Sequence, residues 1–231
     1  MEVIPGLWMI EGLGPCYLYR DADTYTLIDT GITGDATRIL DQLEEAGGKP
    51  GQLKQIILTH SHPDHTGSHA ELIERTEAQV LAHEMDVPVI IGEAETEIPK
   101  VVPNAERKLM EMAIEETPIA KPARVDRALR DGDEIEMGAG AVAVHVPGHT
   151  PGSLAIFLPK EKLLFAGDAA ERDLEENLVL GMFNLDQAQA IESFRKLAAL
   201  DFEIACLGHG KPLDKDASLA FRKVAEKLAD N

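Results

Sequence analysis

The stretch Thr59-His60-Ser61-His62-Pro63-Asp64-His65 gathers three imidazoles and a carboxylate directly after the apolar run Ile56 to Leu58. Imidazole nitrogen and carboxylate oxygen are the donors that Zn²⁺, Fe²⁺ and Mn²⁺ take when no thiolate is offered. In an extended segment His60 and His62 project to one side. Pro63 then enforces a turn after which Asp64 and His65 can point toward a second position. One stretch of chain is therefore expected to serve two ions.

Three more candidates follow other apolar runs: His149 in Pro147-Gly148-His149-Thr150-Pro151-Gly152-Ser153, Asp168 in Ala166-Gly167-Asp168, and His209 in Gly208-His209-Gly210. Rigid scaffolds place functional groups on loops at strand ends, and flanking glycines let the backbone approach an ion without a Cβ clash. The remaining histidines are read as bystanders. His69 is assigned to a helix surface or a supporting role, His83 to a loop, and His145 to a strand face turned away.

The elements that must position these groups are legible as alternating patterns. Strands are predicted at Tyr25 to Ile28, Gln55 to Leu58, Gln79 to Ala82, Ala141 to Val146, Leu154 to Leu158, Lys162 to Phe165 and Ile204 to Leu207. Helical spacing is predicted at Asp35 to Ala46, Ser68 to Thr76, Asn104 to Glu115, Asp186 to Leu200 and Asp216 to Ala229. Strands alternating with helices imply an α/β fold. The stretch from Glu84 to Pro122 lacks strands and is punctuated by prolines, which suits a connection between two halves or a flap over a cleft. Its Met110 and Met112 adapt to varied apolar ligands. One domain over residues 1–231 is expected.

Composition narrows the function classes. With 22 Lys plus Arg against 41 Asp plus Glu, the net charge is −19, a field that repels polyphosphates. Nucleic acid is therefore a poor ligand, and a small-molecule substrate is expected, with a homodimer as the assembly considered. No apolar run is long enough to span a bilayer. The opening MEVIPGLWMIEGLG has no basic region ahead of an apolar core, so a cytoplasmic location is expected. The 2 cysteines, Cys16 and Cys206, lack C-x-x-C spacing and read as small buried hydrophobes.

The order H-x-H-x-D-H, G-H-T-P-G-S, G-D and G-H-G resembles the metallo-β-lactamase fold superfamily, from about Gly6 to Leu213. The resemblance implies a four-layer αβ/βα sandwich with two divalent metal ions, Zn²⁺ first and Fe²⁺ or Mn²⁺ as alternatives, between two mixed sheets. It implies His60, His62 and His149 on one ion, Asp64, His65 and His209 on the other, and Asp168 shared. Asp64 and Asp168 are the carboxylates of the catalytic set. Asp29, in Leu27-Ile28-Asp29-Thr30-Gly31, matches the family's early motif, whose carboxylate supports the ligands from behind.

The implied chemistry is hydrolysis by a bridging hydroxide of a small ester, lactone or thioester, at a centre whose formal charge of roughly +1 favours a developing oxyanion. Close relatives within the resemblance differ outside the ligands. Lactonases of acylhomoserines place a tyrosine three residues after the shared aspartate, where this chain has Glu171. Hydroxyacylglutathione hydrolases carry basic residues in that region, where this chain offers Arg172 among acidic neighbours. Exported β-lactamases lack the shared aspartate. A non-hydrolytic iron protein, a dioxygenase or a flavodiiron-like oxidoreductase, is the alternative from another class; bound flavin and iron colour would mark the latter.

Overall fold

Strands β1 (Glu2–Ile4), β2 (Leu7–Ile10), β3 (Cys16–Asp21) and β4 (Thr24–Ile28) run up and down as antiparallel neighbours. In this computed structural model, which describes residues 1–100, 102 and 104–228, the sheet then changes character. Helix α1 (Ala36–Glu45) returns the chain to β5 (Leu53–Ile57), parallel to β4. The short α2 (Pro63–Thr66) and α3 (His69–Thr76) lead to β6 (Gln79–His83), again parallel. After α4 (Val87–Ile90) and α5 (Asn104–Glu116), β7 (Arg127–Leu129) closes a seven-stranded mixed sheet in the order β1-β2-β3-β4-β5-β6-β7.

The parallel strands carry unbroken apolar runs, Leu27-Ile28, Ile56-Ile57 and Val80-Leu81-Ala82, all buried, as expected of strands covered on both faces. Ile39, Leu40 and Leu43 of α1 and Leu72 of α3 join Leu27, Ile56, Val80 and Ala82 in one core. Burying four such side chains contributes on the order of 6–12 kcal/mol before chain entropy is subtracted.

By contact, this sheet with residues 1–96 and 111–129 forms one unit, and residues 97–110 with the chain from Arg130 onward form another. The second unit has strands β8 (Glu134–Ile135), β9 (Ala141–His145), β10 (Leu154–Leu158), β11 (Leu163–Phe165) and, after a β12 (Ala170–Arg172)–β13 (Leu178–Leu180) hairpin and helix α6 (Gln187–Ala198), β14 (Ile204–Cys206). Its five-stranded sheet runs β14-β11-β10-β9-β8, with β11 and β14 parallel. Phe194 of α6 stacks on Phe221 of α7 (Ala217–Lys227), with ring centroids 4.9 Å apart, and Phe202 meets Phe221 edge-on. Asp186 caps α6 by accepting from the Gln189 N–H at 3.0 Å.

The predicted strands and helices stand within a few residues of their expected bounds, apart from the last helix, whose predicted end at Ala229 lies outside the described residues. The first three strands, β7, β8 and the β12–β13 hairpin carry no prediction. All but β3 are two to four residues long, so no periodicity accumulates over them. His83 corrects its loop assignment: it is the last residue of β6 and is buried. His69 is likewise no helix-surface residue, being 1% exposed at the start of α3. No helix among the described residues is long and apolar enough to cross a membrane.

Candidate metal centre

Every ligand candidate stands just beyond the C-terminal end of a strand, or on the short helix that follows it. In open α/β sheets this is where ligand sites form, because loops leaving the strand ends are free to diverge while the strands hold their bases rigid. In the first unit Asp29 follows β4 and the His60–His65 stretch follows β5; in the second, His149 follows β9, Asp168 follows β11 and His209 follows β14.

Asp29 organises the first set. Its left-handed backbone, φ 60°, turns the chain at once after β4. One carboxylate oxygen accepts the Thr59 N–H at 2.7 Å; the other accepts the Thr59 hydroxyl at 2.8 Å and faces His65 Nδ1 at 2.9 Å. Because a carboxylate only accepts, His65 Nδ1 carries the proton and Nε2 keeps its lone pair for a ligand. The Thr59 hydroxyl, having donated to Asp29, accepts from His60 Nδ1 at 3.1 Å, so His60 is fixed in the same tautomer. One buried carboxylate thus orients two imidazoles.

The turn that carries Asp64 and His65 is built locally. His62 precedes Pro63, which sits in the first turn of α2 where its missing N–H costs nothing. The Thr66 N–H and hydroxyl both bond the His62 carbonyl at 3.0 Å. The His65 carbonyl is in turn held by the Thr30 N–H and hydroxyl. His60 Nε2 then lies 3.1 Å from His62 Nδ1, and His65 Nε2 lies 3.5 Å from an Asp64 oxygen.

In the second unit Asp168 is buried on a 3₁₀ turn after β11. One of its oxygens lies 3.4 Å from His149 Nε2 and 3.3 Å from His209 Nε2. His149 Nδ1 donates to the Met182 carbonyl at 3.0 Å, which again leaves Nε2 as the lone-pair nitrogen. Glycine makes the convergence possible. A Cβ on Gly208 would lie 2.0 Å from the Asp168 carboxylate, and one on Gly181 would lie 1.8 Å from its carbonyl oxygen.

These separations test whether metal ions fit. Donors held about 2.0–2.1 Å from a tetrahedral ion stand about 3.3–3.4 Å from one another. A charged imidazolium–carboxylate hydrogen bond would instead close to about 2.7–2.9 Å. The Asp168–His149, Asp168–His209 and Asp64–His65 distances all have the spacing of neighbouring ligands, and with the proton lodged on Nδ1 of His65 and His149 the donor set suits divalent cations.

Some functional residues escaped sequence reasoning. Asp86, almost fully buried, accepts the Ser61 N–H at 2.8 Å and so holds the loop between His60 and His62. An aspartate before Val87-Pro88 reads as an ordinary helix cap, yet its side chain makes no capping bond. Gly14 is the second: a Cβ there would lie 2.1 Å from the Asp64 carbonyl oxygen, a proximity across fifty residues that no local signal announces. Arg172, weighed as a recognition group, is a clip. Its guanidinium donates to the carbonyls of Lys211, Pro212 and Glu176.

The sequence profile described as "Metallo-beta-lactamase superfamily" matches residues 9–209. Among curated relatives, the Bacillus subtilis protein named "Probable metallo-hydrolase YflN" is 28% identical over 213 residues, covering 85% of this chain and 79% of its own length. The hydroxyacylglutathione hydrolase of Cereibacter sphaeroides is 30% identical over 200 residues, covering 84% of this chain and 61% of that protein. A crystal structure of a metallo-beta-lactamase family protein from Thermus thermophilus, 26% identical, superposes with a TM-score of 0.70 over 99% of this chain and 79% of its own. The subclass B3 metallo-beta-lactamase of Bradyrhizobium japonicum, 21% identical with a TM-score of 0.69 over 100% of this chain and 90% of that one, shares the fold.

Proposed function

The chain belongs to the metallo-beta-lactamase superfamily, and from that premise we propose that it is a metal-dependent hydrolase cleaving the acyl bond of a small ester, lactone or thioester. Its mixed α/β fold, with one seven-stranded and one five-stranded sheet, matches a solved structure of that superfamily. The observation that carries the proposal is the Asp168 carboxylate flanked by His149 and His209 at ligand-to-ligand spacing.

On the superfamily's pattern His60, His62 and His149 would hold one divalent ion and Asp64, His65 and His209 a second, with Asp168 shared; zinc is the ion proposed. Bound there, the ions would polarise the acyl carbonyl and make water ionise near neutral pH. The protein's own part is orientation. Asp29 and the Met182 carbonyl keep imidazole protons on Nδ1, so the ligand nitrogens need no deprotonation before they bind.

Relatedness to hydroxyacylglutathione hydrolases favours a thioester as a second reading. Against glutathione itself stand the backbone-bound Arg172 guanidinium and the acidic run Glu171, Asp173, Glu175 and Glu176, which disfavour a substrate bearing two carboxylates.

The test is a panel of aryl esters, lactones and glutathione thioesters on protein of known metal content. One of these classes is expected to turn over, and His62→Ala and Asp168→Ala are each expected to lower that activity by at least several hundredfold while reducing bound metal. Wild-type turnover in either variant would contradict the assignment.

A further inference from the structure

The second unit borders a half-open cavity of about 690 Å³, within the roughly 300–1,000 Å³ that small-molecule sites occupy. Its wall is the segment from β13 to the start of α6, completed on the other side by Glu97, Ile98, Lys100 and Val102. That wall is bound by its backbone to two of the ligand candidates. Gly181 abuts the Asp168 carbonyl, the Met182 carbonyl accepts from His149 Nδ1, and the Leu185 N–H reaches the His149 carbonyl at 3.4 Å.

The lining is mostly apolar: Ile98, Val102, Leu180, Met182, Phe183 and Leu185. The charged lining residues, Glu97 and Lys100, are exposed and of opposite sign. Phe183 is held with φ 57°, a conformation that a bulky side chain rarely adopts and that persists only where its surroundings enforce it. Enforcement is visible next door, where Asn184 Nδ2 donates to the Gly181 carbonyl at 2.6 Å and to Gln187 Oε1 at 3.0 Å. The strained turn leaves Met182 and Phe183 half-buried against the cavity rather than in the core.

We propose that this cavity, whose wall is tied by its backbone to His149 and Asp168, receives an uncharged, medium-length acyl chain of the substrate. The assignment rests on the hydrolase reading. An apolar hollow with offset charges rewards methylene groups, whereas a peptide-like moiety with free carboxylates would find Lys100 alone among the described lining cations, and that beside Glu97.

The test is binding of N-methyloctanamide and N-methylacetamide, hydrolysis-resistant neutral probes, to the metal-loaded protein by titration calorimetry. The six added methylenes are expected to tighten binding at least about tenfold, a fraction of what full burial would yield. Val179→Trp, which fills the cavity from β13, is expected to abolish that difference; Phe183→Ala, which removes a wall, is expected to reduce it at least about threefold. Equal affinities for the two probes, or a preference that survives both substitutions, would overturn the proposal. Turnover of the full panel of aryl esters, lactones and glutathione thioesters on the same preparations reads the hydrolase assignment separately. No turnover beside an intact chain-length preference would remove the hydrolase reading, and the substrate assignment with it.

Discussion

The carboxylate of Asp29 accepts from Thr59 twice and from His65 once, and through the Thr59 hydroxyl it also sets the His60 ring. Asp29→Ala would leave both imidazoles free to rotate or to change tautomer without deleting a ligand. Metal affinity is expected to fall about 10- to 100-fold, read by competition against a chromophoric chelator, with the circular dichroism spectrum retained. His69 acts on stability instead. Burial pulls its pKa below the usual 6.5, outweighing carbonyl bonds from Thr66 and Ala123 that work the other way. The neutral ring is therefore favoured when folded. Stability from this group is complete above the unfolded value and declines as pH falls through 6.5 toward the lowered folded value. His69→Gln is expected to flatten that part of the urea midpoint's pH profile, and an unchanged slope would assign the dependence elsewhere.

At the scale of elements, the site depends on how closely backbones approach. Gly208 links β14 to His209, its N–H bonding the Gly167 carbonyl at 3.0 Å, and its Cα faces the Asp168 carboxylate. Gly208→Ala places a methyl where that carboxylate stands, so Asp168 or the loop must shift by an ångström or so. A displacement of that order costs about a hundredfold in rate. Activity is expected to drop by about that factor while the protein still folds, checked by kinetics beside thermal melting. Element identity followed from composition where strands were long and apolar, as with β4, β5 and β6. It failed at β1 and β2, because a chain that turns at Gly6 offers too few residues per strand for alternation to show, and at β3, where Cys16-Tyr17-Leu18-Tyr19-Arg20-Asp21 ends in two charged residues and lacks a β-branched run.

For the molecule as a whole, bound metal is expected to contribute to stability as well as chemistry. The unfolded chain has no preformed site, so occupancy stabilises the folded state by mass action. At a metal concentration about a hundredfold above Kd this amounts to about 2.7 kcal/mol, or roughly 5–10 °C in melting temperature for a chain of this size. Stripping with a chelator is expected to lower the transition by that amount and readdition of Zn²⁺ to restore it; a melting curve indifferent to both would deny a structural share to the ions. The net charge of −19 works in the same direction, since bound cations relieve some of the repulsion among excess carboxylates.

Residue order alone determined the donor types and their companions. Imidazoles two apart, a proline, then Asp64-His65 form a chemical statement that needs no coordinates, and glycines beside His149, Asp168 and His209 mark close approach. The α/β class followed from apolar runs alternating with helical spacing. Tertiary structure decided what lies between distant segments. It set Asp29 behind His65, Asp86 beneath Ser61 and Gly14 against Asp64, and it formed the cavity beside Met182. Local sequence carries periodicity and turn chemistry, whereas contacts across tens of residues depend on strand order and on which backbones can approach without a side chain in the way.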